Sequence, residues 1–559
     1  MAQCATDWNT VTASLTRGPH TDRSRAMRAS VRVASSAIIV FFGVNAPGVI
    51  SSGSALALLR VPLEAILALV ILAVLPWTPV RRVVASLAAL VFVSTILGAA
   101  LDRGFVSAVG QPFNVVTGWP DLVSVYGILS DSTGAAVAPV IVGLLGIAAA
   151  VVALVLTRAL LQLAAAIRQR PRVTRIGATA LAAGWIVLAL AGVQIVPGQP
   201  VAAADAVRMT VTKADQVTIA VAEQAAFERA AATDAFADVP ASDLLGGLKG
   251  KDVIVAFVES YGQVAVQNTA FSKGINDVLV KGTADLAAHG YSERSAFLTS
   301  STFGGISWLA HSTLQTGLWI DSQHKYDRVT SGNRLTLSSA FKKAGWRTVS
   351  VVPSNDRPWP IGKSFYHYDA EINSRNMGYR GPRFSYARVP DQFTLAYMQK
   401  TELAQPHQPL MAEIDFVSSH TPWTPLPNEV PWDSIGDGAI YDPQPAQGLA
   451  PSVVWQSAQQ VQQLHGQSIE YSMSTLFSFL TTYDNPNLVL VVLGDHQPAA
   501  VVSGADANHV VPISVISKDP AVIDRISSWA WDPGMLPSPN APLWRMDQFR
   551  DRFFTAFQR

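Results

Sequence analysis

The feature that most constrains this chain is the distribution of its apolar residues. Five windows before residue 200 run near Val33 to Ile50, Ala55 to Trp77, Val83 to Leu101, Ala136 to Leu156 and Ile176 to Val196. A helix needs about 20 predominantly apolar residues to cross the hydrocarbon core of a bilayer. Each window meets that length approximately, although Asn45 and Pro47 interrupt the first. The whole chain of 559 residues is 49% hydrophobic and only 14% charged, with a positive mean hydropathy. The excess lies in these windows, so two different kinds of unit share one polypeptide.

Arginines orient the windows. Arg17, Arg23, Arg25, Arg28 and Arg32 precede the first, Arg81 and Arg82 separate the second from the third, and Arg158, Arg168, Arg170, Arg172 and Arg175 lie between the fourth and fifth. With five spans all three groups share one side, and positive residues favour the cytoplasm. Residues 1–32 are then expected as a cytoplasmic tail, 33–197 as a transmembrane domain of about five helices, and everything beyond as extracytoplasmic. An even number of spans reverses this.

Charge and cysteine content narrow the chemistry. A formal net charge of +1, without a Lys/Arg stripe interleaved with aromatics, gives no reason to expect nucleic acid. The one cysteine, Cys4, supplies neither a disulfide framework nor a thiolate site. Metal chemistry must therefore use carboxylates, imidazoles and hydroxyls.

From Ala202 to about Ala237 the sequence is polar, Ala-rich and free of Pro and Gly, which predicts a juxtamembrane helix. "VPASDLLGGLKGKD" then carries the Pro and Gly of a boundary, placing a helix and linker at 198–248 and a further domain at 249–559. In that domain "DVIVAFVES", "WRTVSVVPS", "LMAEIDFVSS", "LVLVVLGD" and "VVPISVIS" read as buried strands. Helical patterns lie around Asn276 to His289, Arg334 to Ala344 and Val454 to Tyr483. This alternation predicts an α/β domain with a largely parallel or mixed sheet between helices.

Ligands of such sheets sit at the carboxyl ends of strands. The polar residues at those ends are Glu259 and Ser260, then Asn355, Asp356 and Arg357, then Ser418, Ser419 and His420, and finally Asp495 and His496. Glu259, Asp495 and His496 together make a mixed oxygen and nitrogen donor set for Mn²⁺, Zn²⁺ or Mg²⁺.

The N-terminal spans followed by "VIVAFVES", a "GGISW" loop, "SSHTPW" and "LGDHQP" resemble the membrane-bound sulfatase-like branch of the alkaline phosphatase superfamily, the branch of lipoteichoic acid synthases and phosphoethanolamine transferases. The similarity covers roughly Lys251 to Pro520, and the membrane part matches only in layout. It implies an alkaline phosphatase/sulfatase-like fold and one divalent metal, Mn²⁺ foremost with Zn²⁺ or Mg²⁺ as alternatives. Its ligands would be Glu259, Asp495, His496 and a hydroxyl nucleophile on a helix N-terminus. Ser307 fits that position best, with Thr302 as the alternative. Many such synthases use Thr, so a serine departs from the pattern. The formylglycine motif of true sulfatases, Cys-x-Pro-x-Arg or Ser-x-Pro-x-Arg, is absent, which favours phosphoryl over sulfate chemistry.

The expectation is a polytopic membrane enzyme of the cell envelope. Its extracytoplasmic domain would transfer or hydrolyse phosphoglycerol- or phosphoethanolamine-type lipid head groups through a phospho-Ser307 intermediate. The partners are a membrane lipid donor and an envelope glycan or polymer acceptor. His420 and Arg357 are expected to contact the phosphoryl group. His311, one helical turn from Ser307, reads as a packing residue. Trp308, Trp359 and Trp423 line a lipid or glycerol pocket or simply pack a core. The alternatives are a phosphodiesterase or sulfatase-like hydrolase, and a catalytically inactive membrane platform.

Overall fold

The computed structural model describes residues 19–123, 126, 136–169, 171–384, 386–404, 407–504 and 507–559. Cys4, Arg17 and the first part of the expected tail lie outside them, as does Arg170. The chain divides into two units. One holds most residues up to Thr218, and the other holds Phe105–Gln111, Val116–Asp121 and Ile219–Arg559.

The first unit is helical: α1 (Pro19–Ser52), α2 (Leu63–Val74), α3 (Thr78–Val109), α4 (Val137–Arg168), α5 (Pro171–Leu190) and α6 (Asp205–Ala232), with the end of α3 from Phe105 and the part of α6 from Ile219 counted in the second unit. Among the described residues, three stretches are long and apolar enough to cross a membrane: Met27–Ser52, Thr78–Ser107 and Val137–Arg168. Leu63–Val74 and Ile176–Leu190 are apolar but shorter.

The second apolar window is broken for identifiable reasons. Ser54 caps a 3₁₀ turn over Ala55–Leu59, accepting from the Leu56 N–H, and Pro62 supplies no donor of its own ahead of α2. Arg60 between them is 3% exposed and pairs with Asp205 at 2.8 Å. The helix left over, α2, spans about 18 Å at 1.5 Å per residue, against a hydrocarbon core of about 30 Å.

The second unit is built on a mixed nine-stranded sheet. Its strands are β1 (Asp252–Val258), β2 (Ser292–Thr299), β3 (Arg347–Val352), β4 (Ala370–Asn373), β5 (Leu410–Phe416), β6 (Leu488–Gly494), β7 (Val510–Ser517), β8 (Asp532–Pro533) and β9 (Leu543–Arg545). The order is β8-β2-β7-β6-β1-β5-β3-β4, with β9 pairing β2. From β6 through β4 the neighbours are parallel, whereas β7 runs antiparallel to both β6 and β2.

Every residue of β1 and of β6 is buried, because helices cover both faces. Val253, Val255 and Phe257 point into one core, shared with α8 (Ser307–Thr316) and α10 (Phe549–Phe557). Ile254, Ala256 and Val258 point into the other, shared with α7 (Ser272–Ala288) and α9 (Ala458–Tyr483). Leu244, Leu245 and Leu248 of the Gly-rich boundary segment also pack into the first core.

Candidate metal centre

Strand β1 delivers Glu259, and its parallel neighbour β6 delivers Asp495 and His496. Register pairs Val258 with Gly494, so the two ends are level and the residues that follow emerge side by side. Gly494 is required there, since a Cβ would lie 1.9 Å from the Tyr261 carbonyl oxygen. Ser260 holds φ at 59°, which turns the chain sharply after Glu259.

Asp495 locks this corner. Its Oδ1 accepts the backbone N–H groups of Ser260 at 2.8 Å and His496 at 2.7 Å. Its Oδ2 is buried with no hydrogen-bond partner, and His496 Nε2 stands 3.3 Å away. His496 is oriented from its other nitrogen, Nδ1 lying 2.8 Å from the Gln497 carbonyl. That contact makes Nδ1 the protonated atom of the neutral ring and leaves Nε2 as a ligand.

Helix α8 supplies the hydroxyl. Gly304, with φ at 70°, and Ile306, with φ at 64°, precede Ser307 at the helix start. A β-branched residue in the left-handed region is strained, of order 1–3 kcal/mol, and such strain collects at functional sites. The turn aims Ser307 Oγ at Glu259 Oε2, 3.1 Å away, and places it 3.3 Å from His496 Nε2. His496 Nε2 is also 3.2 Å from Glu259 Oε1. Glu259, Asp495 and His496 each offer a ligand atom, all within 4.8 Å of one another.

The electrostatics are those of charges crowded away from water. Burial opposes ionisation of Glu259, but the imidazoles of His420 and His496 outweigh it and hold the carboxyl below its usual range. Burial and the neighbouring Glu259 charge push Asp495 up. Burial also works against the His496 imidazolium, yet Asp495 and Glu259 raise it to about 9. Two carboxylates, an imidazole nitrogen and a hydroxyl, with one carboxylate oxygen orphaned, suit a divalent cation.

His420 lies beside this group. Its ring stacks on Tyr386 with centroids 3.5 Å apart, and its Nδ1 is 2.6 Å from the Thr421 carbonyl. Burial lowers its pKa while Glu259 pulls it back up. Arg357 is not part of the group: its side chain is 89% exposed, and its ion-pair partner is Asp356 at 3.9 Å. Thr302 Oγ1 is buried without a hydrogen-bond partner. Trp308 is 40% exposed. Trp423 is buried, and Trp359 packs on Tyr366 and Tyr368.

His311 has a polar role that the sequence reading passed over. Besides stacking on Phe257 at 3.8 Å, it faces Glu413 and Asp415 of β5. The signal was present in "LMAEIDFVSS": two carboxylates two residues apart point to one face of a strand whose flanks are apolar.

Fold and site together define a class: an α/β domain presenting a carboxylate, imidazole and hydroxyl cluster at parallel strand ends, in a chain that also carries long apolar helices. No protein-family model matches the chain, and no curated protein does. Among solved structures it is similar to the integral membrane lipooligosaccharide phosphoethanolamine transferase A from Neisseria meningitidis, at 11% identity over 93% of this chain and 95% of that one, with a TM-score of 0.43. It is also similar to the lipoteichoic acid synthase LtaP from Listeria monocytogenes (13% identity, 55% and 72% covered, TM-score 0.32). A third is the Streptococcus pyogenes phosphoglycerol transferase GacH in complex with sn-glycerol-1-phosphate (12%, 55% and 85%, 0.34). At such identities the chemistry has to be argued from this chain's own residues.

Proposed function

We propose that the protein is a sulfatase-like membrane enzyme of the alkaline phosphatase superfamily. It transfers or hydrolyses phosphoryl-linked lipid head groups, of phosphoglycerol or phosphoethanolamine type, outside the membrane. Three long apolar helices and the arginine clusters around them support the membrane setting. The observation that carries the chemistry is the position of the Ser307 hydroxyl, 3.1 Å from Glu259 Oε2 and 3.3 Å from His496 Nε2.

Glu259, Ser307, Asp495 and His496 would hold one divalent cation. When bound, such an ion lowers the pKa of the hydroxyl and offsets charge on the phosphoryl oxygens. Ser307 donates its proton to Glu259 Oε2, so its lone pairs face the space where phosphorus must arrive. Oγ forms the new bond to phosphorus as the bond from phosphorus to the lipid alcohol breaks, and the departing oxygen takes up a proton. The start of α8 adds backbone N–H groups and the positive end of a helix dipole at Ser307. His420, fixed through Nδ1 and by its stack on Tyr386, acts as the imidazolium, the form that the Glu259 carboxylate favours, and its Nε2–H donates to a phosphoryl oxygen or passes its proton to the departing alcohol. An acceptor hydroxyl, on an envelope glycan or on water, then attacks phosphorus and restores Ser307.

The test uses full-length protein in detergent, incubated with membrane phospholipid and Mn²⁺ and followed by intact-mass spectrometry. A phosphoryl head-group adduct on Ser307 is expected, and Ser307→Ala should lose both adduct and turnover by at least about 10³-fold. Undiminished turnover in that variant moves the nucleophile to Thr302. Absence of turnover in the wild type makes the protein a binding platform.

A further inference from the structure

We propose that His311, Glu413 and Asp415 form a second divalent-cation site beside the first. It goes beyond the functional reading above, because it concerns how many cations the protein holds and not which bond is broken.

Placement begins in the sequence. Glu413 and Asp415 are two apart on β5 and project from the same face, in register with Val255 and Phe257 of β1. His311 lies four residues after Ser307 on α8, hence on the face that carries the nucleophile. Helix and strand pack together in one core, which brings the three side chains to a point. Their ligand atoms all lie within 4.8 Å of one another.

The contacts are poor as hydrogen bonds and good as an open coordination set. His311 Nδ1 is 3.4 Å from Glu413 Oε1 and 3.5 Å from Asp415 Oδ1. One N–H cannot point well at both, and both distances exceed the usual range for N–H to O. Asp415 Oδ1 is buried and has no hydrogen-bond partner. Glu413 is held from behind, its Oε2 accepting the Tyr368 hydroxyl at 3.1 Å and the Gln315 side-chain amide. Its Oε1 is thereby presented toward the imidazole, the arrangement by which outer partners orient a metal-binding carboxylate.

Charge points the same way. Four carboxylates, Glu259, Glu413, Asp415 and Asp495, meet in this region. Among the described residues their ion-pair partners are imidazoles alone, with neither lysine nor arginine. Crowded carboxylates without a lysine or arginine counter-ion are the surroundings in which a bound cation offsets the charge. One nitrogen with two carboxylate oxygens fits Mn²⁺ or Zn²⁺.

Full-length protein stripped with chelator and titrated with Mn²⁺ decides the matter, with bound metal counted by mass spectrometry after desalting. Two equivalents per chain are expected in the wild type, and one in each of Asp415→Asn, His311→Gln and Glu259→Gln. Frozen-solution electron paramagnetic resonance should show coupled Mn²⁺ pairs in the wild type that vanish in all three variants. One equivalent in the wild type overturns the proposal whether or not the variants fold, and so do two equivalents retained in both Asp415→Asn and His311→Gln. A single equivalent alongside an inactive Ser307→Ala leaves the catalytic reading standing without the second site. Two equivalents alongside a fully active Ser307→Ala does the reverse.

Discussion

Gly494 shows how little room the first site has. The residue ends β6, where a methyl group would lie 1.9 Å from a main-chain oxygen of Tyr261, an atom that cannot swing aside as a side chain can. Gly494→Ala therefore has to push apart the two strand ends that carry Glu259 and Asp495. Overpacking of this kind costs about 1–3 kcal/mol, and contact with backbone belongs at the upper end. Urea unfolding should show the lower midpoint, and Mn²⁺ titration of the folded fraction should show weaker binding. An unchanged midpoint would mean that the β6 end relaxes freely. Asp495 illustrates a division of labour within one carboxylate: one oxygen fixes two backbone N–H groups, and the other is buried without a hydrogen-bond partner, the atom that the proposed cation would engage.

At the scale of elements, the sequence announced the strands that are mostly apolar and concealed those that are not. β1, β3, β5, β6 and β7 were legible because each is a short run rich in Val, Ile, Leu or Phe. β2 was not, since "SERSAFLT" opens with four polar residues and looks like a loop. Tertiary context overrides that pattern: β2 is bordered by β7, β8 and β9, and Ser295 is buried against Ser514 and the Gly534 carbonyl. β4, β8 and β9 are too short for any periodicity to register. Of the site, the residues at the ends of legible strands could be named in advance. Glu413 and Asp415 sit within a strand, where polar residues read as interruptions, and nothing in the residues around Arg357 tells that its side chain faces solvent. β2 also carries a testable consequence. Burial raises the pKa of Glu293 from 4.5 to about 7, and its Oε1 is buried without a hydrogen-bond partner. The folded state thus holds a proton that the unfolded chain releases near 4.5, and stability falls as pH rises from about 4.5 to about 7. Thermal unfolding should show that decline flattened in Glu293→Gln, which has no proton to lose. The same slope in both proteins would remove Glu293 as its source.

Across the whole molecule, each unit depends on pairings between residues far apart in the chain. In the helical unit, Arg60 is 3% exposed and Asp205 8%, and the pair closes at 2.8 Å. Glu64 accepts the N–H groups of Ala206 and Val207 at the start of α6. Removing one partner of a buried pair costs about 3–5 kcal/mol when the other is left uncompensated, and here Asp205 keeps the exposed Arg208 at 2.5 Å, which places the loss toward the lower end. Arg60→Ala should therefore lower the melting temperature in detergent sharply, and a double replacement of Arg60→Met with Asp205→Leu should recover most of it. Equal loss in the double variant would show that packing and not charge had been removed. In the sheet unit, Ser260 and Asp495 are 235 positions apart, and β1 completes its parallel ladder only when β6 arrives. Ribosomes build proteins from the N-terminus, so Glu259 and Ser307 emerge long before their partners exist. On the proposed reading, a nascent chain ending before Leu488 would carry Glu259 and Ser307 without the Asp495 and His496 that complete the cation site, so the site is among the last parts of the molecule to exist.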